Sequence, residues 1–404
     1  MPPAASRLDP HAIPAQPWPR PAAPITEAER AQRLERLRAL MAEAGLKALL
    51  LGATTSLRYF TGLAWYPSER LVGAVVTADQ LTYVCPRFEL EKIAALPTLP
   101  GDYATWEEDE NPYRLVLDCV GPNGRLGLDD QLPLFSYHGL RALFGDTRLV
   151  DAGPLTNRLR RQKSPAEIAL MQQAKSMTLE VHRRTHAALE AGVRASEVAR
   201  FIDAQHRALG AAGGNSFCIV CFGLDSSFPH GGAGDPALRD GDVVLIDIGC
   251  RVDGYTSDIT RTYVFGEPTR RIREVWALEQ EAQAAAFAAA RLGEPCEAAD
   301  RAARAVLEQA GLGPDYRLPG LPHRTGHGVG LDVHEAPNLV RGETTPLDVG
   351  MCFSNEPMIV VPGQFGIRLE DHFHMTESGP RWFTPPQPSL DEPFRGVAPL
   401  VQGR

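Results

Sequence analysis

The sequence predicts a mixed α/β chain of two domains: a compact α/β domain, then a larger one in which helices back strand hairpins. Three observations carry this reading. Short apolar runs alternate with helical periodicity over residues 25–158. A complete helix-start signature stands at Ser164-Pro165-Ala166-Glu167. Beyond it, two apolar strand pairs each carry acids across a turn signal.

Taken in order, residues 1–24 hold eight prolines and no continuous apolar core, and read as a disordered tail. Thr26 followed by Glu29 has the spacing of a capping box, and Leu34, Leu37 and Met41 recur at helical spacing until Gly45. Ala48 to Leu51 is a short apolar run. Leu71 to Val76 and Leu81 to Cys85 flank Asp79-Gln80 as a hairpin, and Arg125 to Leu128 and Leu149 to Asp151 add strands. Ser164 as cap, Pro165 at the first helical position and Glu167 three residues after the cap open the second domain, which spans residues 159–404. Alanine-rich helices are expected near 271–291 and 297–311.

The bulk numbers exclude several classes. With 404 residues, 44% hydrophobic and 23% charged, the chain can bury more than one core. No apolar run approaches the roughly 18 residues of a membrane span. The net charge is −9 and the basic residues form no stripe, which argues against nucleic acid. Seven cysteines and no secretory signal fit a reducing compartment, so the expected location is the cytoplasm. Cys218 and Cys221 form the one Cys-x-x-Cys, but Ser216 to Phe222 reads as a buried strand and the pair as core packing.

Chemistry is concentrated in two hairpins. Val243 to Gly249 is an apolar strand interrupted by Asp247, and Tyr255 to Phe265 returns after Asp253-Gly254. A loop centred between Val252 and Asp253 puts Asp247 directly opposite Asp258, with Cβ atoms roughly 4.5–5.5 Å apart. Two such carboxylates in an apolar setting cannot both ionise cheaply unless a cation lies between them. The device recurs: Phe353 to Val361 and Gly366 to Glu370 flank Pro362-Gly363-Gln364, and a turn centred on Gly363 places Glu356 opposite Glu370. Between the hairpins lies Gly326-His327-Gly328-Val329-Gly330. It lacks the strand-then-helix context of a dinucleotide loop, and neutral imidazole is a common metal ligand. One histidine with four carboxylates makes a hard, oxygen-rich site for two divalent ions, suiting Mn2+, Zn2+ or Co2+.

These residues resemble the pita-bread metallopeptidases, which include Xaa-Pro dipeptidase (prolidase), aminopeptidase P and methionine aminopeptidase. The resemblance runs through the Lys163-Ser164-Pro165-Ala166-Glu167-Ile168 junction, Asp247-x10-Asp258, Gly326-His327-Gly328, Asn355-Glu356-Pro357 and Arg368-Leu369-Glu370. It implies a creatinase-like N-terminal domain over 25–158, a catalytic domain of two related halves around a curved, mainly antiparallel sheet, and a homodimer. It makes Asp247 and Asp258 ligands of one ion and His327 and Glu356 ligands of the other, with Asp258 and Glu370 bridging. It also implies that His230 and His334 face the substrate carbonyl, that His323 lines the site, and that Arg368 holds a substrate carboxylate.

The implied chemistry is hydrolysis of the bond before proline. A water shared by the two ions loses its proton near neutral pH, Glu356 acts as general base, and His230 and His334 stabilise the oxyanion. Arg368 shares a strand face with Glu370, because side chains alternate with period two, and could bind the carboxylate of an Xaa-Pro dipeptide bidentately. The expected preference is for such dipeptides over longer chains. Aminopeptidase P action on Xaa-Pro-Yaa peptides, a small-molecule hydrolase or lyase, and a non-catalytic binding protein remain alternatives on this scaffold.

Overall fold

The computed structural model describes residues 8–400. The chain forms two compact units, Ile25–Arg160 and the part from Arg161 onward joined by the N-terminal stretch. In the first unit, Thr26 accepts from the Glu29 N–H and starts α1 (Glu27–Glu43), which buries Leu34, Leu37 and Met41, the residues expected from periodicity. Then follow β1 (Ala48–Gly52), α2 (Thr55–Thr61), β2 (Gly73–Thr77), β3 (Leu81–Pro86), α3 (Leu90–Ala94), β4 (Asp102–Trp106), α4 (Tyr113–Val120), β5 (Leu126–Leu128), α5 (Leu134–Phe144), β6 (Leu149–Asp151) and α6 (Gly153–Arg160). The strands make one sheet in the order β4-β3-β2-β1-β5-β6, antiparallel across β1, β2 and β3 and parallel at both flanks. β1 lies inside the sheet and is buried at every position, which is why it reads as a run and not an alternation.

The second unit opens with α7 (Pro165–Ala188), whose capping box is complete: the Ser164 hydroxyl accepts from the Glu167 N–H at 3.2 Å, and the Glu167 carboxylate accepts from the Ser164 N–H at 2.9 Å. Its first half continues with α8 (Ala195–Ala208), β7 (Asn215–Phe222), β8 (Val243–Val252), β9 (Tyr255–Thr256) and β10 (Ile259–Val264). β8 lies between β7 and β10, all antiparallel, and Val244, Ile246, Ile248 and Cys250 join α7 and α8 in one core. The second half repeats the plan with α9 (Arg270–Ala289), α10 (Glu297–Gln309), β11 (Gly326–Gly328), β12 (Glu335–Leu339), β13 (Cys352–Asn355), β14 (Met358–Val361), β15 (Phe365–Arg368), β16 (Asp371–Thr376) and β17 (Gly379–Trp382). Its sheet runs β12-β11-β13-β16-β17, all antiparallel, with β14 and β15 paired as an extension of the same hairpin. Helices thus back curved antiparallel sheets twice over. Among the described residues no helix is long and apolar enough to cross a membrane.

Two expectations need correction. The stretch 8–24 is not a disordered tail. Leu8 is buried, Ile13 and Trp18 pack on the core of the first half, and the N–H groups of Gln16 and Trp18 donate to the carbonyls of Ala208 and Leu209 at 2.8 and 2.9 Å. It therefore satisfies carbonyls that the end of α8 leaves open; residues 1–7 lie outside the described residues. The second correction concerns register. β8 and β10 pair Ile248 with Ile259 and Asp247 with Thr260, two residues away from the expected pairing. Asp253 and Gly254 both take positive φ, 45° and 84°, so they form a two-residue turn that pairs Val252 with Tyr255.

Candidate functional site

Asp258, Glu356 and Glu370 sit where the two ladders break, while Asp247 lies within the paired part of β8. In the first hairpin, pairing runs from Val252–Tyr255 to Arg251–Thr256, lapses at Ser257 and Asp258, and resumes at Ile248–Ile259. Asp258 thus becomes the diagonal neighbour of Asp247, not its direct partner, but a shift of two residues keeps it on the same face. In the second hairpin, Met358 pairs with Arg368 and Asn355 with Asp371, so Glu356 and Glu370 face each other across the gap, as expected from a turn at Gly363. His327 enters from β11 between them, its N–H donating to the Ser354 hydroxyl at 2.9 Å.

The cluster is short of partners. Asp258, His327 and Glu370 bring one potential ligand atom each within 4.8 Å of one another, all buried. His327 Nδ1 lies 3.0 Å from the Gly328 carbonyl oxygen, which accepts the ring proton and turns the Nε2 lone pair to the acids. That Nε2 stands 3.1 Å from Glu356 and 3.8 Å from Asp258. An imidazole lone pair facing carboxylates is tolerable only with a proton or a cation between them. Within this cluster four buried atoms make no hydrogen bond among the described residues: Asp247 Oδ1, Asp258 Oδ1, Glu370 Oε1 and His327 Nε2. Burial, then Glu370, Asp247 and Glu356, pushes the Asp258 carboxyl well above its ordinary value. Burial, then Glu356 and Asp247, does the same to Glu370. Burial also pushes Glu356 up, but His327, His323 and Arg368 outweigh it and hold that carboxyl at about 2. A donor set of carboxylate oxygens and one imidazole nitrogen, uncompensated and convergent, fits divalent metal.

A cavity of about 750 Å³ opens onto this cluster and is lined by Asp247, Asp258, His327, Glu356, His230, His323, His334 and Arg368. The structure therefore brings every candidate except Glu370 to one wall system, and Glu370 lies just behind, accepting from the Thr260 hydroxyl at 2.7 Å. His334 stacks edge-on against His327, ring centroids 4.2 Å apart. Burial, then His327 and Arg324, lowers His334 to about 4, and burial lowers His323, so both are neutral N–H donors at pH 7. Apolar wall comes from Phe217, Ile219, Pro322 and Val333.

Arg368 does not fit the expected role of carboxylate holder. It shares its face with Glu370, since both meet the Thr260 hydroxyl, but its nitrogens are committed: Nη2 to Asp247 at 2.5 Å, Nη1 to the Pro229 carbonyl at 2.8 Å and Nε to Thr260 at 3.0 Å. Only 3% of it is exposed. Burial disfavours its charge, but Asp247 and the other acids raise its pKa above the usual guanidinium value. Its partner is a candidate ligand 121 residues away, beyond the reach of local pattern. Thr260 was also missed, although its spacing of two from Asp258 on the strand was a legible signal. Cys218 and Cys221 are free, and burial pushes each up to about 12, in keeping with core packing.

Residues 169–377 match the model of metallopeptidase family M24, and residues 33–162 match the creatinase/prolidase N-terminal domain. The chain belongs to metallopeptidase family M24. This metallopeptidase is 34% identical over 337 residues to an Xaa-Pro dipeptidase of Lactobacillus helveticus, covering 81% of this chain and 90% of that one. Its fold superposes on dipeptidase PepE from Mycobacterium ulcerans with a TM-score of 0.84 at 34% identity, covering 91% and 99% of the two chains. On X-Pro aminopeptidase from Thermotoga maritima MSB8 the TM-score is 0.77 at 27% identity, covering 88% and 98%. A divalent metal cofactor is implied by the family, and the cluster suits one.

Proposed function

We propose that this metallopeptidase hydrolyses the bond before proline, chiefly in Xaa-Pro dipeptides. Two divalent ions would be held by Asp247, Asp258, His327, Glu356 and Glu370, with Asp258 and Glu370 shared. The observation that carries the reading is the convergence of unpartnered ligand atoms at the inner wall of a cavity with histidine donors. The relatives named for Xaa-Pro dipeptide cleavage support the substrate class. The oxygen-rich donor set favours Mn2+, with Zn2+ and Co2+ as alternatives. The chemistry such ions supply when bound is Lewis-acid polarisation of the scissile carbonyl and a lowered pKa for water.

The protein's own residues do the rest. Glu356 is the base: a carboxylate oxygen takes the proton of the attacking water and returns it to the departing proline nitrogen. That nitrogen belongs to a tertiary amide and carries no hydrogen, so the delivered proton is what lets it leave as an amine. His230 and His334 line the cavity and donate N–H to the oxygen on which charge develops. Phe217, Ile219, Pro322 and Val333 offer apolar surface for a ring that has no N–H to satisfy. Arg368 holds the Asp247 carboxylate in place.

Elemental analysis followed by assay of metal-loaded protein with Gly-Pro, Gly-Pro-Ala and Gly-Ala tests the proposal. Gly-Pro should be cleaved fastest and Gly-Ala least. Faster cleavage of Gly-Pro-Ala would favour an X-Pro aminopeptidase, the second reading, which the likeness to the Thermotoga maritima enzyme supports. No cleavage of either proline peptide would end the peptidase assignment for this substrate class.

A further inference from the structure

With Arg368 spent on Asp247, a dipeptide's free carboxylate needs another cation. Arg324 is the other arginine on the cavity wall, and it is half-buried. Its guanidinium makes no hydrogen bond and no ion pair within the described residues. The chain around it is nonetheless fixed from behind. Buried Arg304 donates to the His323 carbonyl at 2.5 Å and to the Leu321 carbonyl at 3.2 Å, and is itself held by Asp300 at 2.9 Å. The other oxygen of Asp300 accepts from the Thr325 hydroxyl at 2.7 Å and the Thr325 N–H at 3.2 Å. Residues on both sides of Arg324 are pinned while its side chain is left without a partner at a cavity wall, an arrangement that presents charge to a ligand and adds nothing to the fold.

We propose that Arg324 is the specificity-determining residue that binds the free carboxylate of an Xaa-Pro dipeptide; the inference rests on the function proposed above. Reach is adequate. Arg324 precedes His327 by three residues, so their Cα atoms are at most about 11 Å apart, and a two-residue substrate spans roughly 7 Å. Charge is also complementary. The inner wall carries the carboxylates of Asp247, Asp258 and Glu356 and would draw the substrate's ammonium group, while Arg324 offers a fork to the carboxylate end. A zwitterion two residues long matches that polarity, and a longer peptide or an amide loses the second contact.

The test compares Gly-Pro with Gly-Pro-NH2 on metal-loaded wild type, Arg324→Gln and Arg324→Lys, with metal content measured on each. Wild type should favour the free acid in kcat/KM by about 10- to 100-fold, through KM. In Arg324→Gln that ratio should collapse toward one, with metal content unchanged, and Arg324→Lys should fall between. A wild-type ratio near one, or a ratio unaltered in Arg324→Gln, overturns the proposal. Calorimetric titration with proline and prolinamide reads the same discrimination without turnover. A chain that cleaves neither substrate yet loses its preference for proline in Arg324→Gln would refute the peptidase reading and sustain the Arg324 site; equal affinity for proline and prolinamide in wild type would refute the site.

Discussion

The two acid hairpins do one job with different geometry. In the Glu hairpin, a turn centred on Gly363 sets Glu356 opposite Glu370; in the Asp hairpin, the two-residue Asp253-Gly254 turn sets Asp258 diagonal to Asp247. The Glu ladder lapses at both of its acids, whereas the Asp ladder lapses at Asp258 and keeps Asp247 paired with Thr260. What survives the difference is the face: a register shift of two leaves every side chain on its original side, whereas a shift of one would have turned Asp258 away. Charge is divided in parallel. Each hairpin contributes one acid beside a cation or imidazole, Asp247 with Arg368 and Glu356 with His327, and one acid driven upward by burial, Asp258 or Glu370.

If the strained acids of the two hairpins are equivalent, Asp258→Asn and Glu370→Gln should fail alike. Each should lower turnover by at least about 10³, the several kcal/mol that an ion contributes, and elemental analysis should find an ion missing. Stability of the metal-free protein should move the other way, because a neutral amide relieves like-charge crowding; Tm should rise by about 2–4 °C for each kcal/mol relieved. Full metal content and full activity in Asp258→Asn would sink the ligand assignment.

The cation partners break the symmetry, since the guanidinium serves the Asp hairpin. Arg368→Met strands Asp247 in the interior and should cost about 3–5 kcal/mol in denaturant unfolding. Dipeptide and amide substrates should suffer equally, unlike the Arg324 variants. A loss confined to dipeptides would restore the carboxylate-binding role that the structure argues against. Somewhat smaller are the histidine effects: His230→Ala and His334→Ala should each keep the metals and lose about 2.7–4 kcal/mol of transition-state stabilisation, read as kcat. Unchanged kcat in both would return these residues to cavity lining.

What could be read from the chain follows the range of the forces involved. The caps at Thr26 and Ser164, the buried run of β1 and the faces of both hairpins depend on residues a few positions apart, and each appears where local pattern puts it. The pairs that decide roles do not. Arg368 with Asp247, Arg304 with the loop before His327, and Trp18 with the end of α8 join segments far apart or depend on how a loop is held. The prolines of 1–24 read as a disordered tail, but over 8–24 the apolar anchors Leu8, Ile13 and Trp18 outweigh the composition.

The smallest expected effect tests the layer behind the hairpins. Buried His182 of α7 donates its ring N–H to the Ile259 carbonyl at 2.9 Å, next to Asp258, while Gln283 of α9 serves the Glu hairpin by donating to the Leu369 and Asn355 carbonyls at 3.1 and 3.3 Å. Only the first of these donors titrates. Burial, then the charge of Arg261, lowers His182 from 6.5 to about 3, so the unfolded chain takes up a proton there before the folded one does. Its contribution is therefore complete above about pH 6.5 and is lost as pH falls toward 3, at roughly 1.4 kcal/mol per unit. His182→Gln copies the solution used behind the Glu hairpin, since an amide can donate to the same carbonyl without a charge to bury. Urea unfolding of the metal-free variant between pH 7.5 and 5 should then show a slope smaller by about one proton than wild type. Equal slopes would mean that the imidazole is not what makes the Asp hairpin the acid-sensitive half.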